Sequence, residues 1–374
     1  MLHTLAFQRL TFNDPEGALE LLRHYGSAEQ VYLHRQQVAE DMPLLHEAIK
    51  QAVISGDWDG TLRWAEEEMK WCEQKGVSIL PYGSPDYPKR LEGINDAPIA
   101  LFCSGNANLN ATHAVSFVGT RQSTSYGNDV CNQIVKDMKR MFPDMLIISG
   151  LAYGIDVAAH RGALANGLST VGVVAHGLDT IYPAAHRQTA AEMVRGNGAI
   201  LSEYASHTRI DRYQFLRRNR IVAAMADCTV VVESKSHGGS LVTAGLADGY
   251  GRQVFAVPGR VSDEASKGCN QLISQQKALM ATSADDIAVV MGWNYEQTYR
   301  EALRDGIQTS LFMQLTDDEK AIADVLSKGD MQLNDIVVST GKNVSEVSAL
   351  LFQMEMSGLI TPLAGGVFHL VEQY

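Results

Sequence analysis

VSFVGTRQSTSYG, residues 115–127, and LIISGLAYGID, residues 146–156, are the two stretches of the chain that decide its fold. In each stretch a short apolar run breaks into glycine and polar residues and then gives way to a helical pattern. This order is typical of a strand, a phosphate-binding loop and a helix, because the N-terminus of a helix attracts anions. The two stretches therefore predict a phosphate site. They leave open whether the phosphate belongs to a nucleotide cofactor, a small substrate or a nucleic acid.

The same alternation continues on both sides of these stretches. Helical patterns separate most of the further β-branched runs, which lie at residues 77–80, 170–175, 199–204, 229–234 and 253–258. Continuous apolar strands joined by helical crossovers indicate a parallel sheet that is covered on both faces. We therefore predict an α/β core over residues 76–291, with a Rossmann-like, doubly wound, mostly parallel sheet.

The flanking segments have a different texture. Residues 1–75 carry apolar positions at three- and four-residue spacing, which predicts an N-terminal helical domain. Residues 292–314 are mixed and polar and are interpreted as a linker. Residues 315–374 show three helical patterns and then two β-runs around the glycine pair 365–366. Helices followed by a small hairpin predict a C-terminal winged helix-turn-helix domain.

Composition and missing motifs exclude several classes of protein. No run approaches the roughly 18 apolar residues that span a bilayer, and the first dozen residues do not resemble a signal peptide, so no membrane partner is expected. The five cysteines are scattered without a CxxC pair, which fits a reduced cytoplasm and not a zinc site. The motifs GxGxxG, GxxxxGK[ST], HExxH and GxSxG are all absent. We therefore predict no cofactor, no metal and no nucleophile elbow.

Charge is distributed unevenly along the chain. The net charge is −12, but residues 1–75 hold 7 Lys and Arg against 13 Asp and Glu, and residues 315–374 hold 3 against 9. The middle, residues 76–314, holds 21 of each and is neutral. A neutral module can still carry a local basic patch, which is what binding to a polyanion requires.

The sharpest basic signal is RIDRYQFLRRNR, residues 209–220, with five Arg against one Asp. Arginine presents a planar fork to phosphate oxygens, and Tyr213 and Phe215 between the arginines could stack on bases. The competing interpretation is a solvated helix start with Phe215 in the core. Arg121, directly after the first core strand, and Lys235 add positive charge at the carboxyl edge of the predicted sheet, where ligands of open parallel sheets bind.

Acidic residues at the same edge allow two interpretations each. Asp156 and His160 are four residues apart and could form an acid/base pair, although a carboxylate near a helix N-terminus is favourable by the helix dipole alone. Glu203 and Glu233 end two strands. They could hold a substrate ribose or act as catalytic carboxylates, or they could pair with nearby arginines.

An ordered series of motifs across residues 77–285 resembles the DNA-processing protein A family, also called DprA or Smf. The series is VGTRQSTSYG, SGLAYGIDVAAH, GLDTIYP, LSEY, FLRRNRIVA, ES…GGSLVTAGLA and VFAVPG. The resemblance implies a protein that binds single-stranded DNA through its Rossmann-like core and forms a homodimer. It also implies that the protein helps to load RecA recombinase during natural transformation, and that it is not an enzyme.

The resemblance also places functional residues on this sequence. The G-[ST]-R motif of the family falls on residues 119–121, its F-x-x-RNR motif on residues 215–220 and its SGSL motif on residues 239–241. Gly238 departs from the usual serine, and His237 stands where some members carry lysine. The predicted DNA-binding residues, with no catalytic residue among them, are Gly119, Thr120, Arg121, Arg212, Phe215, Arg217, Arg218, Arg220, Lys235 and Ser240.

The two flanking domains are not expected to bind DNA by themselves. The resemblance implies a SAM-like or helix-hairpin-helix-like N-terminal domain, but FNDPEG lacks the glycine motif that some relatives carry there. In the winged helix, the predicted recognition helix NVSEVSALLFQMEMSG has no Lys or Arg and two Glu. We therefore do not expect it to read the major groove of duplex DNA. We expect this domain to contact proteins or to position the core.

Two alternative functions compete with DNA binding. GGSLVTAGLA, after a strand that ends in Glu233, is faintly similar to the PGGxGT loop of nucleoside-monophosphate phosphoribohydrolases. In that alternative Arg121 and Glu233 would hold the phosphate and the ribose of a substrate. The second alternative is a nucleotide-binding adaptor without catalysis, which would prefer mononucleotides to oligonucleotides.

Overall fold

The segment that precedes the sheet folds into helices, and its capping residues mark where several of these helices begin and end. The computed structural model describes residues 1–293, 316–327, 329–356, 359–363 and 367–370. The helices of residues 1–75 are α1 (Leu2–Thr11), α2 (Pro15–Tyr25), α3 (Ala28–Leu33), α4 (Val38–Asp41), α5 (Glu47–Ile54) and α6 (Trp58–Lys75). The Asp14 and Asp57 side chains accept hydrogen bonds from backbone amides in the first turns of α2 and α6. Left-handed glycines, Gly26 and Gly76, end the same two helices.

Short apolar runs form a nine-stranded sheet in the described part of the chain, in the order β1-β2-β6-β5-β4-β3-β7-β8-β9. The strands are β1 (Ser78–Pro81), β2 (Ala100–Gly105), β3 (Ala114–Val118), β4 (Leu146–Ser149), β5 (Ser169–Val174), β6 (Ala199–Ser202), β7 (Cys228–Val231), β8 (Gln253–Ala256) and β9 (Leu279–Met280). From β6 to β9 every neighbouring pair is parallel, whereas β1 and β2 are antiparallel to their neighbours.

Helices lie between and after the strands and cover the sheet. They are α7 (Lys89–Glu92), α8 (Ser125–Met141), α9 (Ile155–Ala165), α10 (Arg187–Arg195), α11 (Arg212–Ala224), α12 (Gly239–Gly249), α13 (Lys267–Ser274) and α14 (Ala284–Val290). The chain winds from β3 outward to β6, returns through α11 to β7 beside β3, and then winds outward in the opposite direction to β9. The predicted doubly wound α/β core is confirmed. Its direction of winding reverses between β3 and β7, where the two following loops must diverge.

The N-terminal helices and the sheet share one hydrophobic core. Leu5 and Phe7 of α1 belong to the same buried cluster as Leu101 and Phe102 of β2. Polar contacts join the same parts, because the Gln8 amide donates to the carbonyl oxygen of Glu203 at 2.9 Å. Residues 1–291 accordingly form one compact unit. The expected boundary after residue 75 coincides with the end of α6 but not with a break in packing.

Residues 292–374 make up a second unit. Its elements are α15 (Asp317–Leu326), β10 (Met331–Gln332), α16 (Leu333–Thr340), α17 (Val344–Met356), β11 (Ile360–Leu363) and β12 (Val367–Leu370). The strands pair antiparallel in the order β10-β12-β11, and Ile322, Ile336, Val347 and Leu351 form the core beneath them. The predicted winged helix is confirmed. The glycine pair 365–366 and nearly all of the expected linker lie outside the described residues.

In the part of the chain that the structure describes, no helix is both long enough and apolar enough to cross a bilayer.

Candidate nucleic-acid interface

A cleft opens where the loops after β3 and β7 diverge, and its volume is about 280 Å³. Four segments line it: the loop after β3, the loop after β4, helix α11, and the loop after β7 together with the start of α12. The lining residues are Val118, Gly119, Thr120, Arg121, Gly150, Ala152, Asp156, Arg218, Asn219, Val222, Ser234, Lys235, His237, Gly238, Gly239, Ser240 and Thr243. This is the position at which open parallel sheets bind ligands.

The loop after β3 is held by Glu233, which lies just beyond β7 and is 1% exposed. Its two carboxylate oxygens accept hydrogen bonds from the backbone amide of Thr124 at 2.9 Å and from the Thr124 hydroxyl at 2.6 Å. The Thr124 hydroxyl oxygen also accepts from the Gly127 amide and caps α8. The Thr120 amide donates to the Glu233 carbonyl oxygen at 2.7 Å. Glu233 therefore fixes the loop that carries Arg121, and both of its carboxylate oxygens are used in doing so.

Two glycines let the loop after β4 approach its neighbours closely. A β-carbon on Gly150 would lie 2.4 Å from the Arg218 guanidinium, so a larger residue there would displace that side chain. Gly154 has a φ of +76°, and a β-carbon there would lie 2.0 Å from the Thr120 carbonyl oxygen. The GLAYG sequence therefore forms a tight loop between β4 and α9 that follows the wall of the cleft.

Arg218 forms the floor of the cleft and is 4% exposed. Its guanidinium donates to the carbonyl oxygen of Gly150 at 2.5 Å and to that of Val173. Burial lowers the pKa of Arg218 to about 10, so the side chain stays protonated at neutral pH. Burial also raises the pKa of Asp156, while Arg218 acts in the opposite direction. The floor is thus a fixed cation beside a buried carboxyl group.

Exposed cations stand at the mouth of the cleft. Arg121 is exposed, and its guanidinium carbon lies 5.6 Å from the ring centre of the half-buried Phe215. Lys235 is also exposed, and its ammonium group donates to the Gln122 side-chain oxygen at 3.4 Å. This hydrogen bond joins the two loops that diverge at the reversal of the sheet.

Helix α12 begins at the cleft without a side-chain cap, as far as the described residues show. Gly238, Gly239 and Ser240, at its start, all line the cleft. The Ser240 hydroxyl donates to the Ser234 hydroxyl at 2.8 Å, which ties the first turn of α12 to the loop before it. Uncapped amides and the positive end of the helix dipole favour an anion at this place.

Three of the predicted arginines lie elsewhere. Arg217 and Arg220 project towards the N-terminal helices and the end of β6, where both bind the carboxylate of Glu203, at 3.3 and 2.6 Å. Arg217 also stacks over Phe12 and donates to its carbonyl oxygen. Arg212 is exposed in the first turn of α11, with its guanidinium over the Tyr213 ring. Glu203 is therefore an ion-pair partner, as one of its two interpretations held, and not a free carboxylate at the site.

The structure brings together six of the ten predicted residues on the cleft lining: Gly119, Thr120, Arg121, Arg218, Lys235 and Ser240. Phe215 lies beside them through its contact with Arg121. Sequence reasoning missed Asn219, Thr243 and Gln122, and one of its two interpretations of Asp156 was a carboxylate favoured by the helix dipole alone. The spacing of Arg218, Asn219 and Val222 could have pointed to one face of α11, because residues three and four apart share a helix face.

His160 is fully buried and does not form an acid/base pair in the cleft. Its Nδ1 is 2.7 Å from the Thr170 hydroxyl, at the covered side of β5. Burial is the main reason that the pKa of His160 is lowered to about 3. A neutral imidazole in the core has a structural role, which favours the second interpretation of the Asp156–His160 spacing.

Comparison with known proteins follows the same division of the chain. The family model of DNA recombination-mediator protein A matches residues 78–292, and that of the DprA winged helix domain matches residues 312–366. The chain is 38% identical over 215 residues to the DNA processing protein DprA of Bacillus subtilis, which covers 57% of this chain and 71% of that protein.

Solved structures of DNA processing protein A resemble this one. DNA processing protein A (DprA) from Streptococcus pneumoniae matches with a TM-score of 0.66 at 29% identity, over 77% of this chain and 97% of that chain. DNA processing protein A from Helicobacter pylori, studied for its single-stranded DNA binding mode, matches with a TM-score of 0.51 at 27% identity, over 57% of this chain and 95% of that chain. With its doubly wound core, its cleft at the reversal of the sheet and its winged helix, the chain belongs to the DNA recombination-mediator protein A (DprA) family.

Proposed function

We propose that this chain binds single-stranded DNA, without sequence specificity, at the cleft between the loops after β3 and β7. The observation that carries the proposal is the convergence of Arg121, Arg218 and Lys235 on the uncapped start of α12. All of these groups recognise phosphate oxygens, which carry no sequence information. The net charge of −12 does not oppose this role, because the cations are concentrated in one cleft of a neutral module.

The family description, a DNA recombination mediator, supports a proposal for the physiological role. A protein that holds a single strand through its phosphates leaves the hydrogen-bonding edges of the bases free for pairing. We infer that this chain helps to load RecA recombinase onto incoming single strands during natural transformation, in the cytoplasm. The five cysteines support that compartment, because all of them are free and buried.

The homodimer that we propose places two clefts on one assembly. The edge strand β9 supports it, since within the described residues β9 pairs with β8 alone and its Leu279 and Met280 are 46% and 56% exposed. The next helix along the chain, α14, adds Val289 and Val290, at 65% and 47%. An edge strand with apolar neighbours is a ready surface for pairing with a second copy.

The winged helix is proposed to contact proteins and not to read duplex DNA. Helix α17 exposes Val344, Glu346 and Phe352, and it contains no Lys or Arg. Helices that read the major groove present cationic or amide side chains to base edges. An exposed apolar ring within an acidic surface is instead typical of a protein contact.

The structure gives no support to a phosphoribohydrolase. That alternative needs a carboxylate free to attend a ribose, whereas both oxygens of Glu233 accept hydrogen bonds from Thr124. We propose that the chain is a binding protein and not an enzyme. Incubation with nucleoside monophosphates should therefore release no free base.

The proposed site is tested by Arg121→Ala, with binding of labelled 20-nucleotide oligo-dT measured by fluorescence anisotropy across a salt series. Loss of one charge-assisted phosphate contact should weaken binding by roughly 10- to 100-fold. It should also reduce the salt slope by about 0.7, whatever the base sequence.

The control is Arg140→Ala, a 78% exposed arginine at the end of α8, on the opposite edge of the sheet. Unchanged affinity and slope for Arg121→Ala would place the DNA elsewhere. Tighter binding of mononucleotides than of oligo-dT would favour the nucleotide adaptor.

A further inference from the structure

Exposed tyrosines are confined to one edge of the core. Residues 1–293, all of them described, contain ten tyrosines, and only Tyr126, Tyr153, Tyr182 and Tyr213 are exposed, by 46, 48, 49 and 66%. Each follows the carboxyl end of a different parallel strand: Tyr126 after β3, Tyr153 after β4, Tyr182 after β5 and Tyr213 after β6. These four residues are called the tyrosine row.

The strands before these tyrosines are consecutive neighbours in the sheet, in the order β6-β5-β4-β3. Neighbouring strands lie roughly 4.8 Å apart, so their following loops are arranged side by side along the edge. The row ends at β3, which borders the cleft. Phe215 joins the two features, because its ring centre is 5.8 Å from that of Tyr182 and 5.6 Å from the Arg121 guanidinium.

The rings of the row are held in place while part of their surface stays exposed. The Tyr153 ring contacts the His186 ring at 4.9 Å between centres, and His186 Nδ1 is 2.9 Å from the Leu151 carbonyl oxygen in the same loop. The Tyr182 backbone amide donates to His176 at 3.2 Å, which fixes its loop, and the Tyr182 ring contacts Phe215. The Tyr126 hydroxyl donates to the Pro258 carbonyl oxygen at 2.7 Å. Such ordering lowers the entropy that the rings lose when a partner stacks on them.

We propose that the tyrosine row stacks on unpaired bases and is the part of this surface that distinguishes a single strand from a duplex. This inference rests on the proposed function, since the cleft must hold the phosphates of the same strand. Cations bind the phosphates of single strands and duplexes alike. Aromatic rings can stack only on bases that are not already stacked within a duplex, and they stack on all four bases alike. The row therefore supplies a selectivity that the cleft lacks.

The test compares the parent protein with the double variant Tyr153→Leu, Tyr182→Leu, which keeps apolar bulk and removes the aromatic faces. The ligands are labelled 20-nucleotide oligo-dT, a duplex of equal length and a 20-unit abasic oligonucleotide that carries the same phosphates. Stacking on one ring contributes about 5- to 100-fold, so the double variant should lose at least tenfold in affinity for oligo-dT. Its affinity for the duplex and for the abasic strand should stay within twofold, and its salt slope should not change.

The control is the double variant Tyr153→Phe, Tyr182→Phe, which keeps both rings and should bind oligo-dT like the parent protein. Thermal denaturation of all variants checks that each is folded. The inference is overturned if the parent binds the abasic strand as tightly as oligo-dT, or if the leucine variant binds oligo-dT normally. A leucine variant that changes only the oligomeric state would assign the row to a protein contact. By contrast, a parent that binds no single-stranded DNA would remove the proposed function itself.

Discussion

At the scale of single residues, the three arginines of FLRRNR have different tasks because they point to different faces of α11. Arg218 reaches the cleft, whereas Arg217 and Arg220, three residues apart, share the face that meets Glu203. The sequence composition could not distinguish the roles of the three arginines, because those roles depend on how the helix is rotated relative to β6. A row of arginines is therefore not by itself a count of phosphate contacts.

This division predicts the effect of Arg220→Met. Arg220 and Glu203 are 5% and 3% exposed, so the variant leaves a buried carboxylate with Arg217 as its remaining cation. The free energy of unfolding should fall by roughly 3 kcal/mol. The salt slope of oligo-dT binding should stay that of the parent, since no phosphate contact is lost. Urea denaturation and the salt series measure the two quantities. A stable variant with a reduced slope would show instead that Arg220 binds DNA.

His160 predicts a pH dependence of stability. In the folded protein the pKa of His160 is about 3, against an ordinary value of 6.5. Below pH 6.5 the imidazole is therefore protonated in the unfolded chain while it stays neutral in the folded protein. Stability is therefore lost as the pH falls from 6.5 towards 3, by about 1.4 kcal/mol per pH unit. His160→Gln removes this proton. Between pH 7 and pH 5 its free energy of unfolding should drop by about 2 kcal/mol less than that of the parent.

Urea denaturation at the two pH values measures this difference, and His24→Gln, at an exposed position of α2, is the control. If His160→Gln kept the full pH dependence of the parent, the imidazole would not be neutral in the folded protein.

At the scale of elements, sequence patterns predicted what depends on burial and missed what depends on partners. The parallel strands β3 to β8 are apolar runs between helical patterns and were all predicted. β2 was missed because Pro98 and an irregular segment precede it, so it lies outside the strand–helix alternation. β9 is two residues long and exposed, and therefore has no apolar pattern.

The candidate site shows the same limit. The carboxyl-edge rule located Gly119, Arg121 and Lys235, because it depends only on which residues follow a strand. It did not locate Tyr182, which lies eight residues beyond the end of β5. The contact of Tyr182 with Phe215 depends on how α11 packs across the edge of the sheet. The role of Glu233 was also open, since its partner Thr124 is 109 residues away in the chain.

Thr124→Val tests whether the loop after β3 must be ordered for binding. The variant removes the hydroxyl hydrogen bond to Glu233 and the N-cap of α8, keeps the hydrogen bond from the Thr124 backbone amide, and changes no charge. The free energy of unfolding should fall by about 1 to 2 kcal/mol. Oligo-dT affinity should fall several-fold with an unchanged salt slope, because Arg121 is less well positioned. Ser283→Ala, which removes the N-cap of α14, is the matched control and should lose stability without losing affinity. Equal affinities for both variants would show that the cap is purely structural.

At the scale of the whole molecule, the division into two units predicts that residues 1–291 suffice for binding. This unit has its own hydrophobic core and contains every residue that lines the cleft. The truncated chain should bind oligo-dT within threefold of the full chain, and it should keep whatever duplex affinity the full chain has. Anisotropy with both ligands measures this. A truncated chain that is folded by circular dichroism but has lost its duplex affinity would assign duplex binding to the winged helix after all.

The proposed dimer predicts how affinity depends on the length of the strand. Leu279→Lys with Val289→Lys places charges on the exposed edge strand β9 and on α14, where a second copy would have to bury them at a cost of several kcal/mol. Light scattering should show that the parent dimer becomes a monomer. A short oligonucleotide that fills one cleft should bind both proteins equally. A strand long enough to reach two clefts should bind the monomer at least tenfold more weakly, because the linked second contact is lost.

Leu44→Lys, at a leucine that is 99% exposed among the N-terminal helices, is the control. A double variant that stays dimeric would move the interface away from β9, and a monomer that binds long strands as tightly as the dimer would separate dimerisation from DNA binding.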